Sequence, residues 1–156
     1  MDRDAAAVRI IPPLVPLAAI LAGAALGKLW PVPPGPAFAG PMHIWIGGVV
    51  VGAAIAFAGW AAVVMRRTGQ SPNPIKPTPS IIPHGPYAFS RNPMYLSLVL
   101  LSFGFAVLLA NVWILLLAIV SAWVLYRFAI LPEEAYLERK FGEPYRSYRQ
   151  RVRRWL

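Results

Sequence analysis

The sequence predicts an all-α, polytopic membrane protein with four transmembrane helices, the last two forming a tight hairpin, and a cytoplasmic C-terminal helical cap. Three observations predict it. Hydrophobic residues make up 58% of the chain and charged residues 13%, with a positive mean hydropathy, a balance outside the usual range of water-soluble domains. The apolar residues gather in runs able to cross a hydrocarbon core of ~30 Å at ~1.5 Å per helical residue. The basic residues flank those runs instead of interrupting them.

The whole chain, 1–156, reads as one domain: two spans in 1–65, a cytoplasmic loop in 66–93, a helical hairpin in 94–131 and interfacial helices in 132–156. The first apolar run is Val8 to Trp30, but Pro12, Pro13 and Pro16 crowd its beginning. Proline is tolerated in the first turn and not deeper, so the regular helix starts near Pro13 to Pro16. Asp2, Asp4 and the Lys28-Leu29-Trp30 ending argue against a cleaved signal peptide. Pro31 to Pro41, with five prolines and two glycines, ends the helix in an extended loop. The second span is Met42 to Met65, closed by Arg66 and Arg67. Ala19, Gly23 and Gly27 in the first span, and Gly48, Gly52 and Ala56 in the second, recur every four residues, so the two spans are expected to pack along these small-residue stripes or to serve a dimer. Thr68 to Pro83 is rich in proline, serine and asparagine and predicts an ordered loop of turns. Met94 to Ala110 and Val112 to Leu131 are separated by Asn111 alone, which predicts the hairpin. Phe141-Gly142 reads as a helix end and Glu143-Pro144 as the next start. In that last helix Tyr145, Tyr148, Val152 and Trp155 share a face, the pattern of a helix lying along the membrane interface.

Four spans put the amino terminus, the Arg66 to Pro93 loop and the carboxy-terminal tail on one side, which then holds fourteen of the fifteen Lys and Arg, all but Lys28. The positive-inside rule makes that side cytoplasmic. The net charge of +9 is accordingly met by anionic lipid headgroups and not by nucleic acid. The chain has no cysteine, which excludes disulfides, thiolate catalysis and cysteine-ligated metal. His43 and His84 are too few for a histidine-rich metal site, and His43 lies at the end of its span away from the polar clusters.

Two such clusters fall on the cytoplasmic side: His84-Gly85-Pro86-Tyr87 through Arg91-Asn92-Pro93-Met94-Tyr95, and Glu133-Glu134. Ser90 and Ser97 have only His84 nearby, too little for a Ser-His-acid triad, and no Gly-rich phosphate loop carries a lysine. What remains suits a zwitterionic, nucleotide-like cofactor. Arg91 and His84 would grip a carboxylate, Glu133 or Glu134 an ammonium or ribose hydroxyls, and the rings of Tyr87 and Tyr95 a purine.

Those two clusters, in order and separated by the hairpin, together with Phe141-Gly142-Glu143-Pro144-Tyr145-Arg146-Ser147-Tyr148, resemble the isoprenylcysteine carboxyl methyltransferase and phospholipid methyltransferase superfamily. The resemblance covers roughly the second half of the chain. It implies an integral membrane methyltransferase using S-adenosyl-L-methionine, housed in the cytoplasmic membrane of a bacterium or archaeon. The pocket it implies is lined by Arg91, Asn92, Pro93, Tyr95, Glu133 and Glu134, with His84, Gly85, Pro86 and Tyr87 adjoining. Members acting on isoprenylcysteine usually carry histidine where this chain has Asn92. The implied partner is a hydrophobic or lipid-like acceptor, a carboxylate or an amine, taken from the membrane. For an amine, Glu133 or Glu134 is the candidate base; Arg91, Glu133 and Glu134 form the candidate catalytic set, and no metal is called for. The alternatives are an NADPH-dependent membrane reductase of similar core and a non-catalytic membrane or lipid-binding subunit. Monomer and homodimer are both open.

Overall fold

The computed structural model describes residues 8, 10–38, 40–71 and 77–156. Asp2, Asp4 and the amino-terminal arginines, and the centre of the Thr68 to Pro83 loop with Lys76, lie outside them. Among the described residues the fold is all-helical, with no strand. Six α-helices follow in order: α1 (Leu14–Leu29), α2 (Met42–Arg67), α3 (Pro93–Leu108), α4 (Val112–Leu125), α5 (Leu131–Phe141) and α6 (Glu143–Arg151). Short 3-10 turns at Pro36–Phe38 and Gly85–Ala88 punctuate the loops.

Each boundary has a local cause. α1 begins directly after Pro12-Pro13, whose rings preset a helical φ. Asn111 caps α4, its side-chain oxygen accepting from the N–H groups of Trp113 (2.9 Å) and Ile114 (3.1 Å). It also donates to the Gly23 carbonyl at 3.3 Å, tying the α3–α4 turn to α1. Gly142 ends α5 with φ +59°, a conformation that suits glycine.

α4 and α5 are one continuous helix, Val112–Phe141, joined by a π-helical turn at Tyr126–Ile130. The sequence expectation placed a break at Pro132, and the structure shows why none is needed. Pro132 has no N–H, and its ring would crowd the carbonyl four residues back; the wider turn, in which the Leu131 N–H reaches back to the Tyr126 carbonyl, absorbs both. Enclosing one extra residue rotates every later side chain by about 100° relative to α4. That rotation turns Glu133 and Glu134 toward α3.

α2 packs chiefly on α3, and α1 on α4, with further contacts of α3 to α4 and α1. The small residues explain the close approach, but not as the sequence pattern implied. A Cβ at Gly23 would sit 2.7 Å from the Ile114 backbone, so the α1 stripe faces α4. In α2 the buried residues are Gly47, Ala54 and Ala61; a Cβ at Gly47 would strike Leu108 of α3 and Ala61 packs with Ile82 and Tyr87, while Gly48 and Gly52 have open space around them. α2 carries small residues on two adjacent stripes, and packing uses the one beside that expected.

α2 and the Val112–Phe141 helix are long and apolar enough to cross a membrane. Only 17% of the most apolar stretch of α2 is buried inside the molecule, while Trp45, Val49, Ile55, Ile119 and Trp123 stand exposed. Such continuous apolar surface is covered by lipid in a membrane protein. α1 and α3 have 16 residues each, reaching about 24 Å.

Candidate methyl-transfer site

The site lies where the start of α3, the end of α2 and the start of α5 converge, with the chain after α6 laid across them. The backbone leading into it is fixed first. At Gly85 (φ +63°) the chain turns against α2, where an added Cβ would meet Val64 at 3.1 Å. Pro86 is buried and its carbonyl accepts from the N–H groups of Phe89 and Ser90. Tyr148 donates to the Tyr87 carbonyl at 2.7 Å, and Gln70 donates to the Ser80 carbonyl at 2.6 Å, closing the loop over α6 and α2.

Two carboxylates from adjacent positions of α5 then take different surroundings. Glu134 is buried and accepts from Arg91 Nη2 (3.2 Å), Asn92 Nδ2 (3.3 Å) and Arg154, whose Nε and Nη2 bracket it at 2.8–3.2 Å. Arg154 also lies over the Tyr126 ring, 5.2 Å from its centroid. Its hydrogen bonds to Glu134 hold this guanidinium charged still more firmly than usual. Glu133 accepts a 2.7 Å hydrogen bond from the Tyr95 hydroxyl and forms no ion pair with a described residue. Its carboxylate lines a cavity of about 150 Å³.

That cavity is amphipathic. Its lining combines the polar groups of Ser71, Thr78, Arg91, Asn92, Tyr95 and Glu133 with the apolar side chains of Pro12, Pro13, Ala58, Met65, Met94 and Leu98. Tyr87, Arg91 and Glu133 also line a smaller adjoining space of about 50 Å³ that extends to Tyr145 and Tyr148. Arg91 donates through Nη1 to the Arg149 carbonyl and through Nη2 to Glu134, and its side chain is 7% exposed. Its Nε is buried without a hydrogen-bond partner among the described residues. Burial pushes the phenols of Tyr87, Tyr145 and Tyr148 upward, that of Tyr145 to about 12, so all three remain protonated walls. The larger cavity, about 180 Å³ between Val32–Gly35 and Ala110–Leu115, is at the other end of the bundle and lined almost wholly by apolar groups. His43 is at that end too, its ring bonded to the Gly40 carbonyl at 2.7 Å.

Of the residues the sequence singled out, Tyr87, Arg91, Asn92, Pro93, Tyr95 and Glu133 line the cavity, and Glu134 stands behind it. Gly85 and Pro86 shape the approach without lining it, and His84 is exposed on the outer side of its turn. Sequence reasoning missed Arg154, Ser90 and Tyr126. Arg154 belongs to the run Arg151-Val152-Arg153-Arg154, and nothing in that run distinguishes it from a solvated basic tail. Here α6 stops at Arg151; Val152 still packs with Tyr145 and Tyr148, whereas Trp155 leaves that face for the cluster around Tyr95 and Leu125.

The family model for phospholipid methyltransferases matches residues 42–144, which include every cavity-lining residue except Pro12 and Pro13. The chain belongs to the phospholipid methyltransferase family. An uncharacterized protein of Haemophilus influenzae is 48% identical over 63 residues, 40% of this chain and all of that protein. The protein-S-isoprenylcysteine O-methyltransferase of Schizosaccharomyces pombe is 35% identical over 72 residues, 46% of this chain and 30% of the yeast enzyme. No solved structure matches. Family membership and the two long apolar helices make this a membrane protein of the methyltransferase class.

Proposed function

We propose that this chain is an integral membrane S-adenosyl-L-methionine-dependent methyltransferase acting on a hydrophobic or lipid-like acceptor at the cytoplasmic membrane face. The observation that carries the reading is the cavity, lined within the family-matched segment by Arg91, Asn92, Tyr95 and by Glu133, whose carboxylate forms no ion pair with a described residue. These residues fit the cofactor's amino-acid end: Arg91 for its carboxylate, Glu133 for its ammonium. Tyr87 and Tyr95 supply aromatic walls. When bound, the cofactor supplies a methyl group already activated by its sulfonium.

The chain's own task is to align the two reactants, exclude water and manage one proton. A carboxylate acceptor brings no proton to remove. An amine acceptor does, and Glu133 is the candidate base for it only where the donor's ammonium is held elsewhere, since Tyr95 leaves a single oxygen free. Glu134, consumed by its arginines, has no part in that transfer. The apolar side chains that α2 and α3 contribute, Ala58, Met65, Met94 and Leu98, receive the acceptor's hydrocarbon. In this reading α1 and α3 also cross the membrane, giving four spans with a hairpin at Asn111. Arg66 and Arg67 then mark the cytoplasmic end of α2.

Incubating the purified protein with methyl-radiolabelled cofactor and a membrane lipid extract tests the proposal. Label in the organic phase supports it. Oxidation of NADPH by the same extract, with no label transferred, replaces it with the reductase.

A further inference from the structure

We infer that Arg154 is a positioning residue that keeps Arg91 free to bind the donor's carboxylate; this rests on the methyl-donor reading above. The strap from Val152 to Leu156 follows α6 and lies beyond the family-matched residues. Its backbone is fastened to the start of α3: the Arg153 carbonyl accepts from the Arg91 N–H (2.9 Å), and the Arg154 carbonyl from Ser90 Oγ (3.1 Å) and Asn92 Nδ2 (3.3 Å). Trp155 packs against the cluster of Tyr95, Leu125, Ala129 and Ile130. The strap is therefore held without the Arg154 side chain.

That side chain covers both oxygens of Glu134, with Nε at 3.0 and 3.2 Å and Nη2 at 2.8 Å. A carboxylate and a guanidinium left to themselves prefer a two-point fork. Because Arg154 makes the fork, Arg91 meets Glu134 through Nη2 alone, at Oε1, and its Nε stays unpartnered. Remove Arg154 and the obvious new partner for Arg91 Nε is the carboxylate of Glu134. Arg91, which lines the cavity, is then held by Glu134 at two points and no longer has a donor to spare.

Calorimetric titration of the full chain in detergent separates this from simple loss of structure. The probes are S-adenosylhomocysteine and 5′-methylthioadenosine, which lacks the amino-acid end. For Arg154→Gln the expected result is a Kd for S-adenosylhomocysteine weakened about tenfold or more, the loss of one hydrogen bond to a charged group. The Kd for 5′-methylthioadenosine stays as in the wild type, while the unfolding midpoint falls by less than for Glu134→Ala, because Arg91 and Asn92 still meet the Glu134 carboxylate. Arg154→Lys, which offers Glu134 a cation without the fork, falls between. Equal weakening of both ligands, or of neither, overturns the proposal. A wild-type protein that binds neither ligand overturns the methyl-donor reading, and this proposal with it.

Discussion

Glu133 and Glu134 are neighbours in sequence, yet their substitution should have opposite consequences. Glu134 is 6% exposed and receives five hydrogen bonds from Arg91, Asn92 and Arg154. Glu134→Ala strands the Arg91 guanidinium, 7% exposed, without its counter-ion. Breaking a buried pair from one side costs about 3–5 kcal/mol. The Arg154 side chain is 28% exposed and recovers part of its share from water, which places the loss near ~3 kcal/mol. At about 2–4 °C per kcal/mol for a chain of this size, the unfolding midpoint falls by roughly 6–12 °C. Glu133→Gln keeps an acceptor for Tyr95 and breaks no ion pair, so its midpoint stays within about 3 °C of the wild type. Its methyl transfer falls about tenfold or more, because the charged partner for the donor's ammonium is gone. Thermal unfolding in detergent and the radiolabel assay, run on both variants, check this. Equal destabilisation by the two substitutions, or full activity in Glu133→Gln, would refute the division of roles.

Two further outcomes follow from the packing. Gly23→Leu drives a side chain into the Ile114 backbone and lowers the unfolding midpoint, at a cost of about 1–3 kcal/mol or more, whereas Gly48→Leu, with open space around it, leaves the midpoint unchanged. Tyr145 makes the third: its phenol is pushed up to about 12, chiefly by burial, and its hydroxyl has no hydrogen-bond partner among the described residues. Because the folded value lies above the unfolded value near 10, the folded state holds the proton longer. Its contribution is therefore complete below pH 10 and is lost as pH rises through 12, amounting to about 2–3 kcal/mol. Tyr145→Phe should match the wild type at pH 8 and lose less stability between pH 10 and 12; parallel alkaline melting curves would contradict this.

How far the sequence could be read depended on what kind of physical signal each feature leaves. Runs of apolar residues bounded by Pro12-Pro13, Arg66-Arg67 and Asn111 leave a strong one, and the helices begin and end near those marks. The start of α1, the Asn111 turn and the Gly142 stop were all legible from single residues with known backbone preferences. The π turn was not, because Pro132 signals a disturbed hydrogen-bond ladder without saying whether the helix breaks or widens. Nor was the Gly47 stripe of α2, since its buried residues Gly47, Ala54 and Ala61 recur every seven residues while the four-residue spacing picks out Gly48, Gly52 and Ala56. At the site, the order of the two polar clusters brought Arg91, Asn92, Tyr95, Glu133 and Glu134 together on one side. What order leaves undetermined is which carboxylate faces the cavity, and that depends on the rotation added by the π turn and on Arg154 arriving from the tail. A run of arginines carries no trace of such a contact.

The proposed binding of a methyl donor by its amino-acid end, in the cavity between α2, α3 and α5, is open to calorimetric titration of the wild type and Arg91→Gln with S-adenosyl-L-methionine, with NADPH as the counter-ligand. The wild type should bind S-adenosyl-L-methionine saturably, Arg91→Gln about tenfold or more weakly, and NADPH should give no heat. Saturable binding of NADPH alone, or S-adenosyl-L-methionine binding indifferent to Arg91→Gln, would contradict it.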